Sequence, residues 1–248
     1  MNDLPGIIAP ALLAGLLVLL THVPFGRVVL GRGIIFLDIA IAQIAACGVI
    51  LAGNLWAEGA AWQIQLTATG SALLGALLLQ WTERRYPAIQ EAIIGSTFVL
   101  AATGSLLLIA GNPHGAEHVT DLLRGQILWV GRRELITLAA ISLPVFLLWW
   151  RSPPAWRQRL FYPLFAVTIT ASVQLVGVYL VFSSLIIPAL AVRQSSRQPL
   201  LVGWSLGAVA YALGLALSAL FDWPAGPVIV WVLALLAAPL AFRGKRTS

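Results

Sequence analysis

Long apolar stretches separated by short polar ones run the length of the chain, at 7–23, 34–53, 61–81, 92–110, 135–150, 162–192, 200–221 and 226–242. A bilayer crossing needs about 20 mostly apolar residues, so each stretch predicts a membrane-spanning α-helix. No lengthy hydrophilic segment intervenes. The pattern therefore predicts an all-α polytopic membrane protein, with residues 1–248 as one transmembrane domain and about eight transmembrane helices. The stretch 162–192 is too long for one crossing and has basic flanks on both sides. A hairpin of two short helices resolves the conflict, with a break near 172–177 (SVQLVG). Broken helices at membrane depth persist only where they line a cavity or pack against protein, which makes Gln174 a candidate pathway-lining residue.

Composition narrows the class. Hydrophobic residues are 60% of the chain and charged residues 10%, with mean hydropathy +0.92. A soluble domain carries about 25% charged residues, so that class is excluded. The net charge of +6, from 15 Lys+Arg against 9 Asp+Glu, sits in short inter-helix segments without interleaved aromatics. That is the positive-inside pattern and not a nucleic-acid surface. Placing Arg27, Arg32, Arg84, Arg85, Arg151, Arg157, Arg159, Arg193, Arg197 and the basic tail in the cytoplasm puts the N-terminus outside and the C-terminus inside a bacterial-type inner membrane. Arg132 and Arg133 then fall outside, against the rule. Trp62, Trp81, Trp149, Trp150 and Trp223 fall at segment ends, as an interfacial belt requires. The lone cysteine, Cys47, has no partner for an internal disulfide. The first apolar run lacks a basic leader and reads as a retained span.

Polar groups inside this apolar frame are the candidates for chemistry. Asp38 is an ionisable group at membrane depth, and such groups mark pathways or buried pairs. Asp38 offers carboxylate oxygen and Gln43 carbonyl oxygen to a hard or borderline divalent cation. Five residues apart on a helix, they point about 140° away from each other. The plainer readings of Asp38 are a helix cap or an ion pair with Arg32. In 113–121 (PHGAEHVTD), His114, Glu117 and His118 suit zinc or manganese, and they also spell the H-x-x-E-H signature of a zinc peptidase. Asn112, Pro113 and Gly115 make a poor helix core for that signature. The segment reads as a metal entry or a plain polar loop. Glu91 opens a span and suits that helix's own N-terminal dipole. No phosphate-binding loop is present, so energy comes from a partner chain, from an ion gradient, or not at all.

The stretches VVLGRGIIFLDIAIAQIAACG (28–48), EAIIGSTFVL (91–100), PHGAEHVTDLLRGQILW (113–129), QLVGVYLVFSSLIIPALAV (174–192) and DWPAGPVIVWVLALL (222–236) together resemble the membrane permease of zinc/manganese/iron ABC importers. The resemblance implies a homodimeric helical permease with a central metal path. It further implies a cytoplasmic pair of ABC ATPase subunits and an extracytoplasmic metal-binding solute receptor. No permanently bound cofactor is implied; Zn²⁺ or Mn²⁺ would be cargo. Typical members carry G-D-A-x-x-H on the second helix, and aligning on Gly48 puts Gln43 at the histidine position. Asp38 falls one residue before the aspartate position. Gln in place of His weakens zinc relative to harder cations. The family's ATPase-docking helix has no recognisable match; the basic segment 151–160 (RSPPAWRQRL) stands in its place, with Arg151, Trp156, Arg157 and Arg159 as the expected contact.

The sequence thus predicts a non-enzymatic transport subunit for a divalent metal. Asp38, Gln43 and Gln174 would lie along its path, with His114, Glu117 and His118 at its outer mouth. Its rivals are a gradient-driven metal transporter, which the shortened coupling segment favours, and an intramembrane zinc peptidase.

Overall fold

The computed structural model describes residues 4–55, 61–109, 125, 127–194 and 198–241. Among these, the chain forms nine α-helices and no strand. They are α1 (Leu4–Arg32), α2 (Leu37–Leu55), α3 (Ala61–Arg85), α4 (Gln90–Ile109), α5 (Arg132–Arg151), α6 (Pro154–Val176), α7 (Val178–Ala191), α8 (Pro199–Phe221) and α9 (Ala225–Ala241). Six contain stretches long and apolar enough to cross a membrane; α2, α7 and α9 supply shorter apolar helices. The outward surface is apolar too. Leu100 and Leu107, one heptad apart on α4, are 72% and 79% exposed. In water such a surface would aggregate; in hydrocarbon it is the expected exterior.

Two predicted boundaries move. Arg27 and Arg32 lie on α1 itself, which continues through Pro24 to Arg32. The segment 151–160 is not a loop. Ser152 and Pro153 alone separate α5 from α6, and Pro154 opens α6 at a position where a missing N–H and a fixed φ suit a helix start. The basic character of the segment belongs to two helix ends.

The expected break in 162–192 is present at Gly177, whose φ of 81° and ψ of 160° are closed to residues with a Cβ. The first arm, α6, is a full-length helix rather than a short one, because it begins at Pro154. The pair does return on itself. Phe161 near the start of α6 meets Phe25 of α1, with ring centroids 5.9 Å apart. Leu185 on α7 places its carbonyl where a Cβ on neighbouring Gly26 would collide. Both arms therefore meet α1 at the same level, and α1 packs closely on α7 because position 26 has no side chain.

The bundle has two lobes joined through α6 and α7. In one, α2 packs on α3 and α4; in the other, α1, α7, α8 and α9 pack together. Gly207 and Gly214 sit against Leu19 and Ile229, whereas Gly95 and Gly104 face no neighbour. At one end of the bundle Phe25, Trp149, Phe161 and Phe165 form an aromatic cluster. Trp149 is therefore core, while Trp62, Trp81, Trp150 and Trp223 are exposed at helix ends. The same end holds the Arg32–Glu83 ion pair at 3.2 Å and the bond from Gln80 Nε2 to the Arg159 carbonyl at 3.0 Å. The positive-inside rule places this end in the cytoplasm.

Candidate functional site

Gln43 lies near the middle of the apolar segment of α2 and is half-buried. It opens onto a groove of about 550 Å³ between α2, α4, α7 and α9. Ile39, one turn earlier on the same face of α2, shares the groove with Phe98 of α4, Tyr179 and Ser183 of α7, and Trp231 of α9. Ser183 Oγ donates to the Tyr179 carbonyl at 2.8 Å, which leaves its oxygen lone pairs free to accept. None of the lining side chains is charged. The groove offers neutral oxygen donors, amide and hydroxyl, on apolar walls. Among the described residues, no group of three or more His, Cys, Asp or Glu side chains is placed to hold a metal ion.

Asp38 does not line this groove. It is buried in the first turn of α2, and neither carboxylate oxygen has a hydrogen-bond partner. The ion pair with Arg32 does not form. The Arg32 guanidinium donates to Glu83 and lies 4.6 Å over the Phe161 ring. The unpaired N–H groups and dipole of the α2 N-terminus are what remain to favour negative charge there. Glu91 adds to that site from another helix: the Phe36 N–H, just before α2, donates to Glu91 Oε1 at 3.3 Å. Its carboxylate thus serves α2 as well as the start of its own helix.

Gln174 lies elsewhere again. Near the C-terminus of α6 it borders a cleft with Gln65 of α3 and Glu134 of α5, at the end of the bundle opposite the Arg32–Glu83 pair. Its Nε2 is buried without a partner. The three pathway candidates therefore occupy three places: the groove, the start of α2, and the far cleft. His114, Glu117 and His118 lie outside the described residues.

The expected ATPase contact is spread over the α5–α6 junction. Arg151 ends α5, and Trp156 and Arg159 are exposed on the first turns of α6. Arg157 is engaged internally. Its guanidinium donates to the Trp149 carbonyl at 3.1 Å and the Trp150 carbonyl at 2.9 Å.

Sequence reasoning passed over Tyr179, Ser183 and Trp231, which form most of the groove wall opposite α2. It also passed over His22, which lies in the core of α1 because that helix runs on to Arg32. His22 Nδ1 lies 2.8 Å from the Val18 carbonyl. A four-residue step from a polar residue already singled out, applied to Gln43, would have found Ile39.

The sequence pattern of the ABC 3 transport family matches residues 6–152 and 153–243. This chain belongs to the ABC 3 transport family. It is a multi-pass membrane permease of that family. The zinc uptake membrane protein ZnuB of Haemophilus influenzae is 26% identical over 262 residues, spanning 97% of this chain and 98% of its own. The manganese transport membrane protein MntC of Halalkalibacterium halodurans is 27% identical over 254 residues, spanning 94% and 85%. In fold, the chain is similar to one from PsaBC of Streptococcus pneumoniae, solved in complex with a Fab. The TM-score is 0.77 at 20% identity, with 97% of this chain and 92% of that one covered. The ABC 3 pattern covers both lobes and the α5–α6 junction between them.

Proposed function

We propose that this ABC 3 permease carries a divalent metal ion inward across the inner membrane, as half of a homodimer. A pair of cytoplasmic ATPase subunits drives it, and an extracytoplasmic receptor delivers the ion. The observation that carries this reading is Gln43, a polar side chain at mid-membrane that opens onto a groove instead of closing on a neighbour. The two relatives named above supply two metals, zinc and manganese. Amide and hydroxyl oxygens favour the harder Mn²⁺ over Zn²⁺. On this reading Gln43 contacts the ion in transit. Asp38 lies near the cytoplasmic exit, and Gln174, with His114, Glu117 and His118, lies toward the outer entrance. Arg151, Trp156 and Arg159 are the ATPase contact, with Arg157 holding their helices in register.

The test is purification in mild detergent with identification of co-purifying chains, followed by uptake of labelled Mn²⁺ and Zn²⁺ in proteoliposomes. ATP-dependent Mn²⁺ uptake that falls in Gln43→Ala is the expected result. Uptake without a co-purifying ATPase, driven by an imposed proton gradient, would replace this reading with the gradient-driven one.

A further inference from the structure

The cleft at the outer end has features that the metal reading does not use, and the one residue they share, Gln174, would serve a bound lipid instead of the ion. It encloses about 500 Å³ between α3 and α5, with α6 as its floor. Both α3 and α5 pack on α6, while the cleft separates them from each other. Its upper rim carries Trp62, Gln65, Arg133, Glu134 and Gln174. Below the rim the walls are apolar, with Leu138 and Ile141 of α5 and Ala171 of α6. From Arg133 to Ile141 the helix descends roughly 12 Å. The cleft is thus polar at headgroup level and apolar beneath. Its flanks continue into lipid-facing surface, since Leu66 on α3 and Ile136 on α5 are 66% and 68% exposed.

The charges on the rim choose between ligands. Arg133 and Glu134 are adjacent, and among the described residues neither forms an ion pair. A guanidinium matches a phosphate, and Gln174 Nε2, buried without a partner, is a second donor lining the same cleft. The Glu134 carboxylate repels a purely anionic headgroup and accepts from an ammonium. Trp62 has the interfacial position at which an indole faces headgroups. An arginine on the outer face runs against the positive-inside rule; a phosphate between α3 and α5 gives it a partner.

We propose that this cleft is a binding site for one zwitterionic phospholipid of the outer leaflet. Its phosphate lies on Arg133 and Gln174, its primary ammonium on Glu134, and an acyl chain runs down between α3 and α5 over Leu138 and Ile141. The lipid wedges the two helices apart and completes the bundle on this side.

The test is native mass spectrometry of the full chain purified in mild detergent. Probes are phosphatidylethanolamine, phosphatidylglycerol with the same acyl chains, and soluble phosphoethanolamine. The wild type should retain one phosphatidylethanolamine per chain in preference to phosphatidylglycerol. Arg133→Ala and Glu134→Gln should each weaken retention about fivefold, the upper range for a solvent-accessible charge pair. Gln174→Leu, on a different helix, should weaken it in the same direction and keeps the test open where an α5 variant fails to fold. Equal retention of both lipids, unchanged in all three variants, overturns the site and leaves only annular lipid, or a cleft filled by the chain itself. Competition by soluble phosphoethanolamine as strong as by the lipid overturns it in favour of a water-soluble ligand.

Discussion

Arg157 donates from Nε to the Trp149 carbonyl at 3.1 Å and from Nη2 to the Trp150 carbonyl at 2.9 Å. The first turns of α6 thereby close the C-terminus of α5, whose last carbonyls have no partner within the helix. The positive charge also meets the negative end of the α5 dipole. Arg157 is the basic residue of the junction whose side chain the fold itself uses.

Removing it should therefore show in stability. Arg157→Ala should lower unfolding stability by about 1–2 kcal/mol, the lower part of the range for hydrogen bonds to a charged donor, because the group is partly exposed. Thermal melting in detergent reads this. Arg151→Ala and Arg159→Ala should melt like the wild type and reduce ATPase capture instead. Unchanged melting in Arg157→Ala would show that the two bonds do not hold the junction.

Gly177 makes the second prediction. Its φ of 81° with ψ of 160° joins α6 to α7 through a single residue. Gly177→Ala introduces a Cβ into a conformation that disfavours it by about 1–3 kcal/mol. The protein should melt earlier, and proteolysis should cut at the α6–α7 junction before other sites. Gly95→Ala is the control, since a Cβ there meets nothing within 4 Å and alanine favours the helix. If both variants behave alike, the break at Gly177 is not strained by a side chain.

Metal preference gives the third. Ile39 and Gln43 are one helical turn apart and both face the groove, so Ile39→Asp with Gln43→His would put a carboxylate and an imidazole on one side of it. Those are zinc ligands. The double variant should bind Zn²⁺ at least about tenfold more tightly than the wild type, which corresponds to about 1.4 kcal/mol. Calorimetry in detergent measures this directly. Asp38→Asn should leave groove affinity unchanged, because Asp38 lies outside it. A loss of binding in Asp38→Asn would place the ion at the start of α2 instead.

Much of the architecture is written locally in this chain. Apolar length gives the helices, and the over-long segment between two basic flanks gives the hairpin, with a glycine at its break. The junction 151–160 reads as a loop because arginine density dominates its composition; the helix start depends on Pro154 alone. The groove is not legible, since its walls come from α2, α4, α7 and α9, which only tertiary packing brings together. One residue of register separates buried Asp38 from Ile39, and polarity along the sequence points to the wrong one of the two for the groove. Glu91 has the same character: on the sequence it belongs to its own helix, and in the fold it also reaches the helix next to it.

That reach leads to the last prediction. Glu91 Oε1 accepts the Phe36 N–H at 3.3 Å, at the entrance of the helix that carries Ile39 and Gln43 one and two turns further on. A side-chain acceptor at a helix N-terminus contributes about 0.5–2 kcal/mol. Glu91→Gln keeps an acceptor oxygen and should stay near the wild type, whereas Glu91→Ala should lose most of this. Glu91→Lys should be worst, since it sets a positive charge against the positive end of the α2 dipole. Hydrogen exchange localises the effect: the Phe36 amide and the first turn of α2 should exchange faster in Glu91→Ala, with α8 and α9 unchanged. Faster exchange confined to α4 would mean that Glu91 serves only its own helix. Because the start of α2 sets the register of its groove face, a transport defect in Glu91→Ala that Glu91→Gln rescues would tie this contact to the pathway without placing Glu91 in it.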